Sequence, residues 1–366
     1  MNNKIENQNR SVFITHRIIS VMLIMTLIVS VVSFTGCSSD KETSGAKILT
    51  YWNDDSTAKK NLINYVETVT NEKSDKFIPV KDRIAVFDFD GTLFCETDPV
   101  YFDHMLLIHR VLEDPDYVNQ ASDYEKEVAA KSKHYAETGE FAEGLDVEHG
   151  KALASAFKGM TIDEFNAYIQ KFKQTAMPSY EGMNRGGGFY KPMIQVIDYL
   201  NANDFTVYVV SGSDRYLVRG IFDGSNINVT NNHIIGSDVT TLASGQGDKD
   251  PLSYMFTPED SVILGGDFIV KNLKMNKVSI IQREIGQKPV LSFGNSSGDY
   301  SMDEYTISNN KYQSMAFMLC CDDLERENGN QEKADKMKAD CEKYGWTAVS
   351  MKNDWTTIYG DGVKKK

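Results

Sequence analysis

IAVFDFDGTLF, residues 84–94, is the stretch from which the rest of this chain is read. Its first four residues are apolar and β-prone, the composition of a strand buried on both faces of a parallel sheet. Asp88 and Asp90 follow directly, and Gly91 permits a sharp departure of the backbone. The strand therefore ends in two carboxylates. Two nearby ionised carboxylates repel, so the arrangement makes chemical sense where a divalent cation offsets the charge and one acid moves a proton. A solvated acidic turn is the plainer reading of the same residues.

Working outward, two more apolar runs end in polar groups. Residues 205–210 lead into Ser211 and Gly212, a hydroxyl and turn amides that can donate to a phosphate oxygen without adding charge. An ordinary strand-to-helix cap uses the same residue types, and Asp214 and Arg215 are polar neighbours with no obligatory contact. Residues 290–293 lead into GNSSGD, where Asn295 and Asp299 offer oxygens to an octahedral Mg²⁺, directly or through water. The loop lacks the longer alternating-oxygen pattern of a calcium hand. Lys271, Lys274, Lys277 and Lys288 lie between the second and third of these strands, and a lysine there could hold phosphate and offset the aspartates.

In their order and spacing these motifs resemble the haloacid dehalogenase-like phosphatase superfamily, over about residues 81–310. The segments FYKPMIQVIDYLNANDFTVYVVSGSD, CCDDLERE and GWTAVSMKNDWTTIYG resemble exported bacterial hydrolases of that superfamily related to the phosphoserine phosphatase group. The resemblance implies that Asp88 attacks phosphorus to form an aspartyl phosphate, and that Asp90 protonates the leaving oxygen and then activates water. It implies Ser211, Gly212 and Lys277 as phosphate binders, with Lys288 the competing lysine, and Asp88, Asp90, Asn295 and Asp299 around Mg²⁺. Asn295 matches a Gly-Asn-Ser variant of the usual acidic pair. The implied substrate is a small phosphorylated metabolite.

Fold class follows from the spacing of the runs IAVF, FTVYVV, SVILG, PVLSF and SMAFML, with helical lengths between them. They predict an α/β, Rossmann-like core with a mainly parallel sheet and reactive side chains beyond the strands' carboxyl ends. Residues 81–95 and 186–366 are assigned to this core. Residues 96–185 are rich in Lys, Glu and Ala among apolar positions and read as helices, which the resemblance makes a C1-type cap. Within them, Thr161 and Glu164 are spaced as a capping box, and Phe165, Tyr168, Ile169 and Phe172 recur at helical spacing as cap core. Gly182 and residues 186–188 mark a return hinge. Asp322 and Asp323 follow another apolar run and either end a strand or line the same edge.

The amino terminus addresses location. Lys4, Arg10 and Arg17 precede an apolar run over residues 18–34, followed by Thr35, Gly36 and Cys37. This predicts a signal peptide or membrane segment over 1–36, then a tether and N-terminal extension over 37–80. The small residues before Cys37 resemble a lipobox, which implies an extracytoplasmic lipoprotein attached to the membrane through Cys37 lipid or the apolar segment.

With a formal net charge of −13 and no extended basic stripe, no nucleic-acid partner is expected. Cys95, Cys320, Cys321 and Cys341 show neither metal-knuckle spacing nor a defined pairing. Three other classes compete with a phosphatase. A haloacid hydrolase would also use an aspartate nucleophile; a phosphonate hydrolase would need a cap amine such as Lys151 or Lys158; a lipid-anchored binding protein would keep the fold without the chemistry.

Overall fold

Strand β1, Ile84–Phe87, lies mid-sheet because all four of its residues are apolar and both faces must be covered. In the computed structural model, which describes residues 45–366, β1 pairs in parallel with β3 (Thr206–Asp214) on one side and β6 (Leu291–Gly294) on the other. Beyond β6 come β7 (Met315–Cys320) and β8 (Thr347–Ser350), both parallel; beyond β3 come β4 (Ile234–Ala243) and β5 (Val262–Val270). A separate two-stranded ribbon joins β2 (Tyr180–Glu181) to β9 (Lys364–Lys365).

Register explains the packing. Phe87 pairs with Phe293 and Phe293 with Phe317, so three rings line one face, with centroids 4.2 and 5.0 Å apart. Helix α1 (Thr57–Thr70) buries Leu62, Tyr65, Val66 and Val69 in the main core. The Tyr65 hydroxyl donates to the carbonyls of Val290 and Gln313, satisfying its buried polar end at the root of β6. Part of the stretch assigned to tether and extension is thus packed structure.

One strand departs from the expected direction. SVILG, read among the parallel runs, begins β5, which is antiparallel to β4. Residues 244–261 join the two with only a short 3₁₀ turn, and a parallel pairing would need a crossover helix.

Between β1 and β2 the chain forms helices α2 (Phe102–Ile108), α3 (Asp123–Thr138), α4 (Leu145–Ala156) and α5 (Ile162–Lys173). α5 starts at a full capping box from Thr161 and Glu164, and its buried residues include Phe165, Ile169 and Phe172. The outgoing and returning connections run side by side. The Cys95 N–H donates to the Gly188 carbonyl at 2.8 Å, and the Tyr190 N–H to the Leu93 carbonyl at 2.9 Å.

Residues 1–36 and Cys37, on which export and lipid attachment were expected, lie outside the described residues. Among the described residues no helix is long and apolar enough to cross a membrane. Even α3, at 16 residues, is shorter than the roughly 20 apolar residues a span needs, and it carries charges along its length. This corrects the expectation of a membrane-attached, extracytoplasmic lipoprotein, which plays no part in the functional reading. The four cysteines at 95, 320, 321 and 341 are unpaired.

Candidate active site

The chemistry collects where β1, β3 and β6 end. The Asp88 N–H donates to the Phe293 carbonyl at 2.8 Å, extending the β1–β6 ladder by one residue and fixing where the first carboxylate leaves the sheet. Gly91 then turns with φ +76°, and a Cβ there would lie 1.9 Å from Asn295 Nδ2. Only glycine allows the two loops to touch in this way.

Lys277, in α6 (Met275–Ile280), is fully buried with its Nζ 2.5 Å from Asp88 Oδ1 and 2.7 Å from Asp299 Oδ1. Burial works against its charge, but Asp299 and Asp88 outweigh that and keep it protonated. The other oxygen of Asp299 accepts from the backbone N–H groups of Asn295 and Ser296 at 3.0 and 3.1 Å. Asp299 is thereby engaged on both oxygens, bracing Lys277 and the 295–299 loop. Lys288, the competing lysine, donates instead to the Ser308 carbonyl at 2.8 Å and sits over the Tyr305 ring.

A cavity of about 320 Å³ opens over Asp88 and Asp90, with Glu96, Gly212, Ser213 and Lys271 among its walls. Ser211 itself is fully buried, and its Oγ accepts the Ser213 N–H at 2.9 Å, so Gly212 and Ser213 are the β3 residues that reach the cavity. Asn295 donates from Nδ2 to Glu96 Oε1 at 3.1 Å, and its Oδ1 accepts from Thr92 Oγ1 at 3.4 Å. The same Thr92 hydroxyl lies 3.5 Å from Asp88 Oδ2. Asp88, Asp90, Lys277, Asn295 and Asp299 are thus brought together; Lys288 is not. Asp322 and Asp323 line neither this cavity nor the neighbouring one of about 380 Å³, and bond to Ser350 and Arg326 instead.

Burial and the neighbouring Asp299 push the Asp88 carboxyl up to about 7, while Lys277 pulls it down. Burial, Asp103 and Asp88 push Asp90 well above the usual carboxylate range, against the hydrogen bond from Ser213. A carboxyl raised in this way holds its proton more firmly and is suited to act as an acid. Glu96 is also raised to about 7, by burial and then Asp88.

Sequence reasoning missed Glu96, Ser213 and Asp103. Ser213 carried a signal, since it lies two residues beyond Ser211 in a strand and so faces the same way. Glu96 and Asp103 carried none, because their place depends on how the inserted helices fold back.

Asp103, His104 and His149 form a buried group whose ligand atoms lie within 4.8 Å of one another and could hold a metal ion. None of the three was a predicted metal ligand. The two imidazoles stack with centroids 3.9 Å apart and planes 12° apart, so their in-plane lone pairs do not converge, and chelation would require one ring to turn. The oxygens of Asp88 and Asn295 beside Thr92 are the hard donors that suit Mg²⁺.

A family model described as haloacid dehalogenase-like hydrolase matches residues 85–253. No curated protein matches the sequence. Among solved structures, a conserved functionally unknown protein from Anaerococcus prevotii DSM 20548 is 14% identical, with 80% of this chain and 91% of that one covered and a TM-score of 0.50. A protein with unknown function from Bordetella pertussis Tohama I is 12% identical over 73% and 97%, with a TM-score of 0.44. Cytosolic 5'-nucleotidase IIIB bound to cytidine is 11% identical over 82% and 86%, with a TM-score of 0.45. The family model spans β1 to β4 and frames the two aspartates after β1, so over residues 85–253 this chain is similar to haloacid dehalogenase-like hydrolases.

Proposed function

We propose that the chain hydrolyses small phosphomonoesters, with Asp88 as nucleophile and Mg²⁺ as cofactor. The observation that carries this reading is the Asp88–Lys277–Asp299 arrangement facing a cavity of about 320 Å³. Asp88 attacks phosphorus, the bond from phosphorus to the leaving oxygen breaks, and Asp90 delivers the proton that makes the leaving group an alcohol. Asp90, now a carboxylate, then takes a proton from the water that cleaves the aspartyl phosphate. Lys277 neutralises Asp88 until phosphate arrives, and the Gly212 turn offers amides to the phosphoryl oxygens. Asp88 and Asn295 would hold Mg²⁺ through their side-chain oxygens, and the ion would offset the charge of the anionic partners; Asp299 supports the site through Lys277. The cap lysines named for phosphonate chemistry, Lys151 and Lys158, are not among the cavity's walls, and that reading gains no support.

The test is phosphate release from a chemically diverse monoester panel with and without Mg²⁺, beside Asp88→Asn and an acid-quench search for an acyl phosphate on Asp88. Release that is lost in Asp88→Asn and on chelation is expected. Unchanged turnover in Asp88→Asn overturns the nucleophile assignment, and no release by the folded, metal-supplied protein overturns the activity.

A further inference from the structure

Ser213 stands between two acids from different parts of the chain. Its Oγ lies 2.7 Å from Oδ2 of Asp90, after β1, and 3.1 Å from Oδ2 of Asp103, in α2 of the inserted helical segment. All three residues are buried, at 5%, 9% and 4% exposure. A serine hydroxyl has a single proton, so at any moment it donates to one of these oxygens and not to the other. Asp90 Oδ1 has no hydrogen bond among the described residues, and Asp90 contributes to the cavity wall. The contact through Oδ2 therefore fixes the rotation of the carboxyl and leaves Oδ1 to face substrate. Asp103 is itself held in place: the backbone N–H of His104 donates to its Oδ1 at 2.8 Å, and His149 Nδ1 lies 3.8 Å from its Oδ2.

We propose that Ser213 and Asp103 are positioning residues for the acid step, the Ser213 hydroxyl fixing Asp90 through Oδ2 and Asp103 fixing that hydroxyl from its other side. This rests on the phosphomonoesterase reading and adds to it a role for the inserted helices. As the bond from phosphorus to the leaving oxygen breaks, the Asp90 proton passes to that oxygen and the negative charge appears on Asp90. The hydroxyl of Ser213 stands 2.7 Å from Oδ2 of the carboxylate that forms. A donor already in place where charge develops costs no reorganisation at the moment of reaction.

The acid matters only when the leaving group is a poor one, and the test uses that. Turnover of an alkyl phosphate and of 2,4-dinitrophenyl phosphate is compared in the wild type, Ser213→Ala, Ser213→Thr and Asp103→Asn. General acid catalysis contributes about 10²–10⁴-fold, and a misplaced acid forfeits part of it. The ratio of kcat for the alkyl ester to kcat for the dinitrophenyl ester is expected to fall about 10–100-fold in Ser213→Ala. A smaller fall is expected in Asp103→Asn, with recovery to within a few-fold of wild type in Ser213→Thr. Equal loss on both esters, or an unchanged ratio, overturns the proposal, because general damage to the site does not depend on leaving-group acidity. If neither ester is hydrolysed by the wild type, the phosphomonoesterase reading fails by itself. The bridge is then tested by urea midpoints of Ser213→Ala, Asp103→Asn and the double variant: non-additive shifts support the shared hydroxyl, and additive shifts overturn it.

Discussion

Replacing Lys277 by methionine tests the electrostatic centre of the site. Methionine fills nearly the same volume, so the change removes the ammonium and little packing. Lys277 has no exposed surface, and its Nζ lies 2.5 and 2.7 Å from carboxylate oxygens of Asp88 and Asp299. Its loss leaves two buried carboxylates facing each other without a cation. Breaking a buried pair in this way costs about 3–5 kcal/mol. A second route to the magnitude agrees: the site can relieve itself by protonating one acid, and a carboxyl of ordinary pKa near 3.9 takes up a proton at pH 7 for about 4 kcal/mol. With an m-value of about 3 kcal/mol per molar urea, the unfolding midpoint should fall by about 1–1.7 M. The deficit should shrink as the pH is lowered, because protons are then supplied more cheaply to the orphaned acids. Turnover should fall about 10²–10³-fold, as for a lost electrostatic donor. Lys288→Met is the matched control, since Lys288 bonds to the Ser308 carbonyl, sits over the Tyr305 ring and has no carboxylate partner among the described residues, and its midpoint should move by less than about 1 kcal/mol equivalent. Urea titrations followed by tryptophan fluorescence, with phosphate release on the same samples, give both readouts. A Lys277→Met protein within about 1 kcal/mol of wild-type stability and within threefold of its turnover would refute the reasoning.

Two further outcomes follow from local geometry. Gly91→Ala places a Cβ at φ +76° and 1.9 Å from Asn295 Nδ2, so the Asn295 amide and the Glu96 carboxyl must swing out of their places beside Asp88; we expect at least about 1–2 kcal/mol of destabilisation with a larger loss of turnover, and normal values of both would falsify the close approach. Asp114 accepts from Arg110 Nη1 at 2.7 Å and the Tyr168 hydroxyl at 2.8 Å, and although burial works to raise its carboxyl, these partners bring it below the usual range. A depressed carboxyl adds stability that is present above the unfolded value near 3.9 and is lost as pH falls through the folded value. The gap in urea midpoint between wild type and Asp114→Asn should therefore close on acidification from pH 6 to 2.5; a gap that stays constant shows that the ion pair is not the cause.

The sequence by itself determined the parallel centre of the sheet and the places where it turns chemical. β1 and β6 are each fully buried, and burial of a strand on both faces demands the unbroken apolar runs that make IAVF and the residues before GNSSGD readable. Thr161 and Glu164 likewise announced α5, because a capping box is satisfied within four residues. Tertiary structure alone decided the rest. β4 was not read because Thr and Ser interrupt its apolar positions, and its antiparallel pairing with β5 depends on an 18-residue connection, 244–261, that forms no crossover helix. Lys277 and Lys288 have the same chemistry and stand 11 residues apart in the chain; only the tertiary placement of α6 brings one of them to Asp88 and leaves the other on a carbonyl. The meeting of Asp90, Ser213 and Asp103 has the same origin. Residues that share a hydroxyl over sequence separations of 123 and 110 leave no periodicity in the chain, since the contact is made by the folding of one element onto another and not by the spacing within either.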